Sequence, residues 1–124
     1  MNSESQEVKH LLDQLCEQLK RSFPKPRQSL DATSKHGVYI IRKDKTVLHV
    51  GRTLRREGGL NGRLKDHLHG SSSFTYYYLR GKGAILREDG YTYQYLVVED
   101  PRRRALLESY AIGKLCPKHI GLGE

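Results

Sequence analysis

The sequence has few cysteines, no tryptophan and no long apolar run. Its two cysteines, Cys16 and Cys116, lie a hundred residues apart, and two thiols form no zinc site without histidines at ligand spacing. No apolar stretch approaches the roughly 18 residues that a membrane span needs. The polar opening residues, among them Ser3, Glu4 and Gln6, predict that no secretory signal peptide is present. We therefore expect a cytoplasmic protein with two reduced thiols and no membrane span.

What the sequence does contain is an excess of positive charge on a foldable composition. Its 124 residues include 22 lysines and arginines against 14 aspartates and glutamates, a formal net charge of +8. Hydrophobic residues make up 36%, and eight tyrosines argue against a disordered basic tail. The length fits one domain. The charge indicates a polyanionic partner, with nucleic acid as the first candidate.

The first segment has the spacing of an amphipathic helix. Five apolar residues recur at intervals of three and four, which places them on one face. They are Val8, Leu11, Leu12, Leu15 and Leu19. Ser3 followed by Gln6 predicts a capping box at the start of this helix.

Two prolines suggest where this helix separates from the rest. Pro24 and Pro26 are expected to end it and to form a linker. We therefore divide the chain into a helix with its linker, 1–26, and a domain, 27–124. The helix either packs on the domain or binds a protein partner or a second copy of the chain through residues 3–20.

The next part of the chain predicts a hairpin and a helix. Residues 37–42 and 46–51 are rich in β-branched and aromatic side chains and flank a polar turn, which is typical of a β-hairpin. Helical spacing returns over 60–68, and Gly70 is placed where a left-handed residue would stop the helix.

A strand and a helix follow. Residues 91–98 form the clearest strand, and Asp100 with Pro101 supplies a cap and a first-turn proline for a helix that runs to about Leu115. The order helix, hairpin, helix, strand, helix predicts an α+β sandwich. Its sheet would be small, mainly antiparallel and three-stranded, flanked by helices, with the N-terminal helix as an addition.

Glu108 is the most informative single residue of the last helix. Ala105, Ala111, Ile112 and Leu115 define one apolar arc, and Glu108 falls near its middle. An inward carboxylate is costly unless a cation or hydrogen bonds satisfy it. A structural ion pair with an arginine and a ligand position for a hard cation such as Mg²⁺ are equally compatible with this placement.

Two further pairs of polar residues lie at suggestive spacings. Arg63 and His67 are four apart, so both leave one helical face, separate from the leucine stripe. A guanidinium can hold a phosphate, and an imidazole can transfer a proton. Tyr39 and His49 lie in the two strands of the hairpin and share one face if the turn sets that register. A solvated polar face for the first pair and ordinary packing for Tyr39 are the alternatives.

Five short motifs follow one another along residues 36–121. They are Gly37-Val38-Tyr39, His49-Val50-Gly51, Arg63 with His67, Glu108, and Pro117-Lys118-His119-Ile120. Their order and spacing resemble the GIY-YIG nuclease superfamily, whose name comes from the first two. The others are similar to that family's catalytic arginine and downstream histidine, its metal-binding glutamate and its closing segment. Two positions depart: His49 stands where the second motif usually has tyrosine, and Ile120 where the closing segment commonly has asparagine.

The resemblance implies a DNA endonuclease that hydrolyses phosphodiester bonds with one Mg²⁺ or Mn²⁺ ion. Glu108 would hold the metal, and Arg63 would clamp the phosphoryl oxygens. Tyr39 would take a proton from the attacking water with His49 as its relay, and His67 would add a second proton or phosphate contact. His119 is a candidate for the hydrogen bond of the replaced asparagine.

Basic residues outside these motifs are candidates for contacts to the DNA backbone. They are Arg52, Arg55, Arg56, Lys65, Arg80 and Lys82. Arg102, Arg103 and Arg104 begin the last helix, where positive charge opposes the helix dipole, and this placement also hints at a phosphate contact. An ordinary solvated basic surface is the alternative for each of them.

Two other functions fit the same residues. A catalytically impaired module of this fold would bind nucleic acid without cutting it, and the replaced tyrosine and asparagine favour that interpretation. A protein-interaction module would use the apolar stripe of the N-terminal helix, and its basic surface would then be incidental.

Overall fold

The computed structural model describes residues 3–55 and 58–122 and confirms the predicted order of elements. Within those residues there are three α-helices and four strands. They are α1 (Glu4–Glu17), β1 (Arg21–Ser22), β2 (Gly37–Lys43), β3 (Thr46–Arg52), α2 (Gly59–His69), β4 (Tyr91–Val97) and α3 (Pro101–Leu115). A π-helical turn, Phe74–Tyr78, and a 3-10 helix, Gly83–Arg87, lie between α2 and β4.

The strands form one antiparallel sheet in the order β1-β4-β2-β3. The predicted three-stranded sheet corresponds to β2, β3 and β4. The two residues of β1 add a fourth strand by pairing with β4. The α+β class is therefore confirmed, and β3 lies at one edge of the sheet.

Alternation along β2 separates two apolar layers, because neighbouring side chains of a strand point to opposite faces. Tyr39 and Ile41 face α2 and belong to the cluster that contains its leucines. Val38 and Ile40 face the other way and join a cluster with residues of α1 and α3. The sheet is thus covered by α2 on one face and by α1 with α3 on the other.

The helix ends follow the local sequence. The Ser3 side chain accepts from the Gln6 backbone, and the Gln6 side chain accepts from the Ser3 backbone, so the predicted capping box forms. Asp100 accepts from the backbone N–H of Arg103 at 3.3 Å and caps α3. Gly70 ends α2 with a φ of 94°.

The expected end of the N-terminal helix is wrong. α1 ends at Glu17, before the prolines, and the chain then extends to pair Arg21 with Tyr93. The reason is the buried side chain of Gln94, whose Nε2 donates to the backbone oxygens of Cys16 and Gln18 at 3.3 and 2.9 Å. These bonds satisfy carbonyls that a helix end leaves without partners.

The arginines at the start of α3 have a structural explanation. Arg102 donates to both carboxylate oxygens of Glu4 at 2.8 and 3.0 Å, and Arg103 lies 2.8 Å from Glu7. Arg104 donates to two backbone oxygens just before the helix. Two of these charges therefore join α3 to the first turn of α1, which explains their placement without a phosphate, and the phosphate contact stays a prediction.

Cys16 and Cys116 carry free thiols. No helix in residues 3–55 and 58–122 combines the length and the apolar character that crossing a bilayer requires.

Candidate active site

The centre of the candidate site is a buried hydrogen bond between Tyr39 and His67. Tyr39 lies on β2 and His67 on α2, and neither side chain is exposed. The Tyr39 hydroxyl oxygen lies 2.5 Å from Nε2 of His67. The expectation that His67 leaves a face separate from the leucine stripe is wrong, since it is buried like Leu64 and Leu68. It tolerates burial because the phenol beneath the helix is a hydrogen-bond partner.

The glycine of the second motif leaves room for this phenol. Gly51 on β3 is the cross-strand partner of Tyr39. A Cβ built on Gly51 would lie 2.3 Å from the Tyr39 hydroxyl oxygen, closer than real Cβ atoms come to any neighbour. The Tyr39 ring can therefore lie over the edge strand only because residue 51 has no side chain.

Hydrogen bonds around His67 determine which of its nitrogens carries the proton. The Thr75 hydroxyl donates to the backbone oxygen of His67, and a carbonyl only accepts. The hydrogen shared by Ser72 and Thr75 at 3.2 Å must therefore come from Ser72. The Ser72 oxygen also accepts from the Thr75 backbone at 3.1 Å and lies 2.6 Å from Nδ1 of His67. Nδ1 must donate in that contact, which leaves Nε2 to accept the Tyr39 proton.

His49 shares a face with Tyr39, as predicted, and their ring centres are 6.0 Å apart. Its ring stacks on Phe74 with centres 4.7 Å apart and an interplanar angle of 18°. Nδ1 of His49 lies 3.2 Å from Nδ1 of His119, the residue expected to supply the hydrogen bond of the family's replaced asparagine. The sequence predicts His49 as the proton relay of Tyr39, but the hydrogen bond to the Tyr39 hydroxyl is made by His67.

Burial shifts the pKa values of all three groups toward their neutral forms. It raises the pKa of Tyr39 well above its ordinary value, although the nearby Arg63 charge acts in the opposite direction. Burial, reinforced by the neighbouring His49, lowers the pKa of His67 well below 6.5. Burial and the neighbouring His119 lower the pKa of His49 to about 3. At neutral pH the pair is a phenol bonded to a neutral imidazole.

Arg63 and Glu108 meet in one pocket at the β3 edge of the sheet. The pocket has a volume of about 340 Å³ and is lined by Arg52, Leu54, Arg63 and Glu108. The Nε of Arg52 donates to Oε1 of Glu108 at 3.0 Å, and both side chains are about one quarter to one third exposed. Glu108 therefore lies half-buried on α3 beside the buried Leu107 and Ala111. The ion-pair alternative for its carboxylate is realised by Arg52.

Arg63 connects this pocket to the buried phenol. Its Nη1 lies 3.4 Å from the Asp66 carboxylate one turn along α2. Its positive charge lowers the pKa of Tyr39, and the charge of Glu108 raises it, so both act on the phenol. The pocket therefore places a guanidinium and a carboxylate within electrostatic reach of the Tyr39 hydroxyl.

The pocket fits a hard cation that retains most of its water. The described residues contain no group of three His, Cys, Asp or Glu side chains able to cage a metal. Mg²⁺ is commonly held by one or two carboxylates together with water and substrate phosphates. A single half-buried carboxylate at a pocket of this volume suits that mode, and Glu108 would share its charge between the ion and Arg52.

The basic residues selected from the sequence have different surroundings. Arg52 pairs with Glu108 inside the pocket. Arg55 and Lys65 are exposed, the latter on α2, and Arg80 and Lys82 are exposed after the π-helical turn. Arg56 lies outside the described residues.

Three residues of this site were missed by sequence reasoning. Ser72 and Thr75 bond to His67, and Phe74 stacks on His49. The only signal for them was the serine run that precedes Phe74, which has the composition of a flexible loop. The π-helical turn makes the contacts, and π-helical turns occur frequently at functional sites.

No protein-family model and no curated protein sequence matches the chain. Several solved structures of the GIY-YIG N-terminal endonuclease domain of UvrC from Thermotoga maritima do match, each a point mutant bound to its catalytic divalent cation. An asparagine-to-alanine mutant is 22% identical and the match covers 73% of this chain and 87% of that one, with a TM-score of 0.53. A tyrosine-to-phenylalanine mutant is 18% identical over 98% of this chain and 100% of that one, also at 0.53.

The second of these matches spans nearly the whole chain. The fold expected from the five motifs is confirmed by it. This chain has the fold of a GIY-YIG endonuclease domain.

Proposed function

We propose that this protein is a metal-dependent DNA endonuclease that hydrolyses phosphodiester bonds. The observation that carries the proposal is the Tyr39–His67 hydrogen bond beside a pocket lined by Arg63 and Glu108. A proton acceptor, a phosphate-binding cation and a ligand for a hard cation are the three functions that such hydrolysis needs. The T. maritima domains of this fold are endonuclease domains with a bound divalent cation.

The proton path follows from the tautomer of His67. The Tyr39 oxygen takes a proton from the attacking water while its own proton passes to Nε2 of His67. The water oxygen then bonds to phosphorus, and the bond to the leaving oxygen of the DNA breaks. His67 becomes an imidazolium whose Nδ1–H remains bonded to Ser72. Because Tyr39 keeps its proton in the resting protein, the two transfers are concerted.

Arg63 and Glu108 act on the other reacting atoms. The Arg63 guanidinium binds the phosphoryl oxygens and stabilises the charge that develops on them. Glu108 would hold a divalent cation, Mg²⁺ or Mn²⁺, which would supply a Lewis acid for the phosphate and the leaving oxygen. His49 packs beside the Tyr39 ring and stacks on Phe74, and so helps to position the phenol.

DNA is the proposed substrate because of the charge of the chain. The net charge of +8 and the exposed Arg55, Lys65, Arg80 and Lys82 suit a polyanion, and their contacts would be salt-sensitive and mostly blind to sequence. The two free thiols suit a reducing compartment such as the cytoplasm.

Magnesium-dependent nicking of supercoiled plasmid tests the proposal. We expect Glu108→Ala and Arg63→Ala to abolish cleavage and to leave the far-UV circular dichroism spectrum unchanged. Glu17→Ala, a change of an exposed glutamate at the end of α1, is the matched control and should cleave like the unaltered chain. Full activity of either site variant would refute the mechanism. Salt-sensitive DNA binding with no cleavage in Mg²⁺ or Mn²⁺ would instead support the non-cutting binding module.

A further inference from the structure

Three consecutive tyrosines form an exposed aromatic surface next to the candidate site. Tyr76, Tyr77 and Tyr78 are 66%, 47% and 41% exposed. They belong to the π-helical turn that also contains Phe74 and Thr75, both buried. Tyr76 and Tyr77 contact each other edge to face, with ring centres 4.8 Å apart. Large exposed rings in one turn are unusual on a surface that binds nothing.

A stack of rings connects this surface to the site. The His49 ring stacks on Phe74 with centres 4.7 Å apart, and Phe74 stacks on Tyr78 with centres 5.6 Å apart and an interplanar angle of 13°. Phe74 thus lies between the His49 ring of the site and the exposed Tyr78 ring. Thr75, from the same turn, donates to the backbone of His67. The exposed tyrosines are therefore held in place by the same residues that order the site.

Positive charge continues directly from this surface. Arg80 and Lys82 are exposed and follow the tyrosines in the chain. Their loop is anchored, because the Gly81 N–H donates to the Thr75 oxygen at 2.8 Å and the Lys82 N–H to the Leu79 oxygen at 3.0 Å. Exposed rings beside an ordered basic loop are the two parts of a single-strand binding surface, in which bases stack on aromatics and cations follow the phosphates.

We propose that Tyr76, Tyr77 and Tyr78, with Arg80 and Lys82, bind unpaired nucleotides of DNA next to the candidate site. In a duplex the faces of the bases are stacked on each other, so these rings could bind only bases that are unpaired at a flap, gap, bubble or single strand. The placement of this tyrosine surface rests on the proposed function, since the site it adjoins is the proposed nuclease site. The protein would accordingly act on DNA that contains unpaired residues.

Fluorescence anisotropy with labelled oligonucleotides tests this proposal in buffer that contains EDTA and no divalent cation. We expect Tyr76→Ala and Tyr77→Ala each to weaken binding of a single strand at least about fivefold, the lower end for loss of one stacked base. Binding of a fully paired duplex should change less than about twofold. Tyr76→Phe should retain single-strand affinity, because stacking needs the ring and not the hydroxyl. Leu19→Ala removes a side chain of the same 66% exposure on another part of the surface and is the control.

Salt dependence separates stacking from charge. The tyrosine variants should lower the affinity at every salt concentration without changing the slope of log Kd against log salt. Arg80→Gln should reduce that slope by about 0.7, the value for one phosphate contact on a single strand. Equal losses on single strand and duplex, or no loss in the alanine variants, would overturn the proposal. A surface for a protein partner would give the second result. Because no cleavage is measured, these outcomes do not depend on whether the protein proves to be a nuclease.

Discussion

The Tyr39 hydroxyl donates to Nε2 of His67 across 2.5 Å inside the protein, where neither group meets solvent. Burial raises the pKa of the phenol and lowers the pKa of the imidazole, so both shifts hold the proton on Tyr39. Transfer to His67 becomes favourable only when the phenol receives another proton at the same time. In the proposed mechanism the attacking water supplies that proton, which keeps the base inactive until substrate is bound.

The first prediction concerns the coupling of this pair. Tyr39→Phe and His67→Gln should each lower the single-turnover cleavage rate by about a hundredfold or more, because both interrupt one proton path. The double variant should be no slower than the slower single variant. Rates measured in a double-mutant cycle check this. Losses that multiply in the double variant would show that the two residues act independently.

The second prediction concerns Ser72. Its replacement by alanine leaves the Nδ1–H of His67 without its acceptor, so the imidazole should populate both tautomers and the cleavage rate should fall about tenfold or more. ¹⁵N NMR of the histidine side chains reports the tautomer directly and independently of activity. Ser71→Ala and Ser73→Ala change exposed serines of the same run and are the controls. An unchanged single Nδ1–H tautomer in Ser72→Ala would contradict the assigned role.

The third prediction concerns Gly51. Gly51→Ala places a methyl group where the Tyr39 hydroxyl lies, so we expect a loss of about 1–3 kcal/mol in the free energy of unfolding and loss of cleavage. Gly113→Ala is the matched control, because a Cβ there meets no atom within 4 Å. Because Gly113 lies within α3, its replacement by alanine should stabilise the protein by about 0.5–1 kcal/mol. Urea denaturation of both variants measures the difference, and equal stabilities would be inconsistent with the close contact.

The fourth prediction concerns pH. His49 has a pKa of about 3 in the folded protein against 6.5 in the unfolded chain. Below pH 6.5 the unfolded state therefore binds more protons than the folded state. The free energy of unfolding consequently decreases as the pH falls from about 6.5 toward 3. The loss should be about 1.4 kcal/mol per pH unit for this group, and the depressed pKa of His67 acts in the same direction.

Urea denaturation between pH 4 and 7 measures this slope. His49→Phe keeps a ring that stacks on Phe74 and removes the titrating group. The slope of its free energy of unfolding against pH should therefore be smaller than that of the unaltered chain by the contribution of one proton, about 1.4 kcal/mol per pH unit. His119 and Arg63 are the other charged or titratable groups that lower the His49 pKa, and both remain in the variant. Parallel curves for the two proteins would rule out His49 as the source.

Much of the fold could be predicted from the sequence because short-range interactions determine where its elements begin and end. Caps at Ser3 and Asp100, a glycine at residue 70 and alternation in the hairpin determine element order without tertiary information. The end of α1 was not readable. It depends on Gln94, which is 76 and 78 residues from the carbonyls it satisfies.

The candidate site shows the same limit. The spacing of the motifs predicted that Tyr39, Arg63 and Glu108 belong to one site. Strand register and helix packing place these residues near the β3 edge of the sheet. The sequence could not tell which histidine bonds to Tyr39. His49 and His67 both lie on its side of the sheet, and the structure shows that His67 reaches the hydroxyl. Ser72 was invisible because a serine run looks like a loop until a π-helical turn orders it.

The packing of α1 has a consequence for the carboxylate of the site. Leu12 and Leu15 of α1 share a core with Leu107 and Ala111 of α3, which stand on either side of Glu108 in the sequence. A partner that bound the apolar face of α1 would have to expose Leu107 and Ala111. Binding of a partner to this buried face would therefore alter the part of α3 that carries the Glu108 carboxylate.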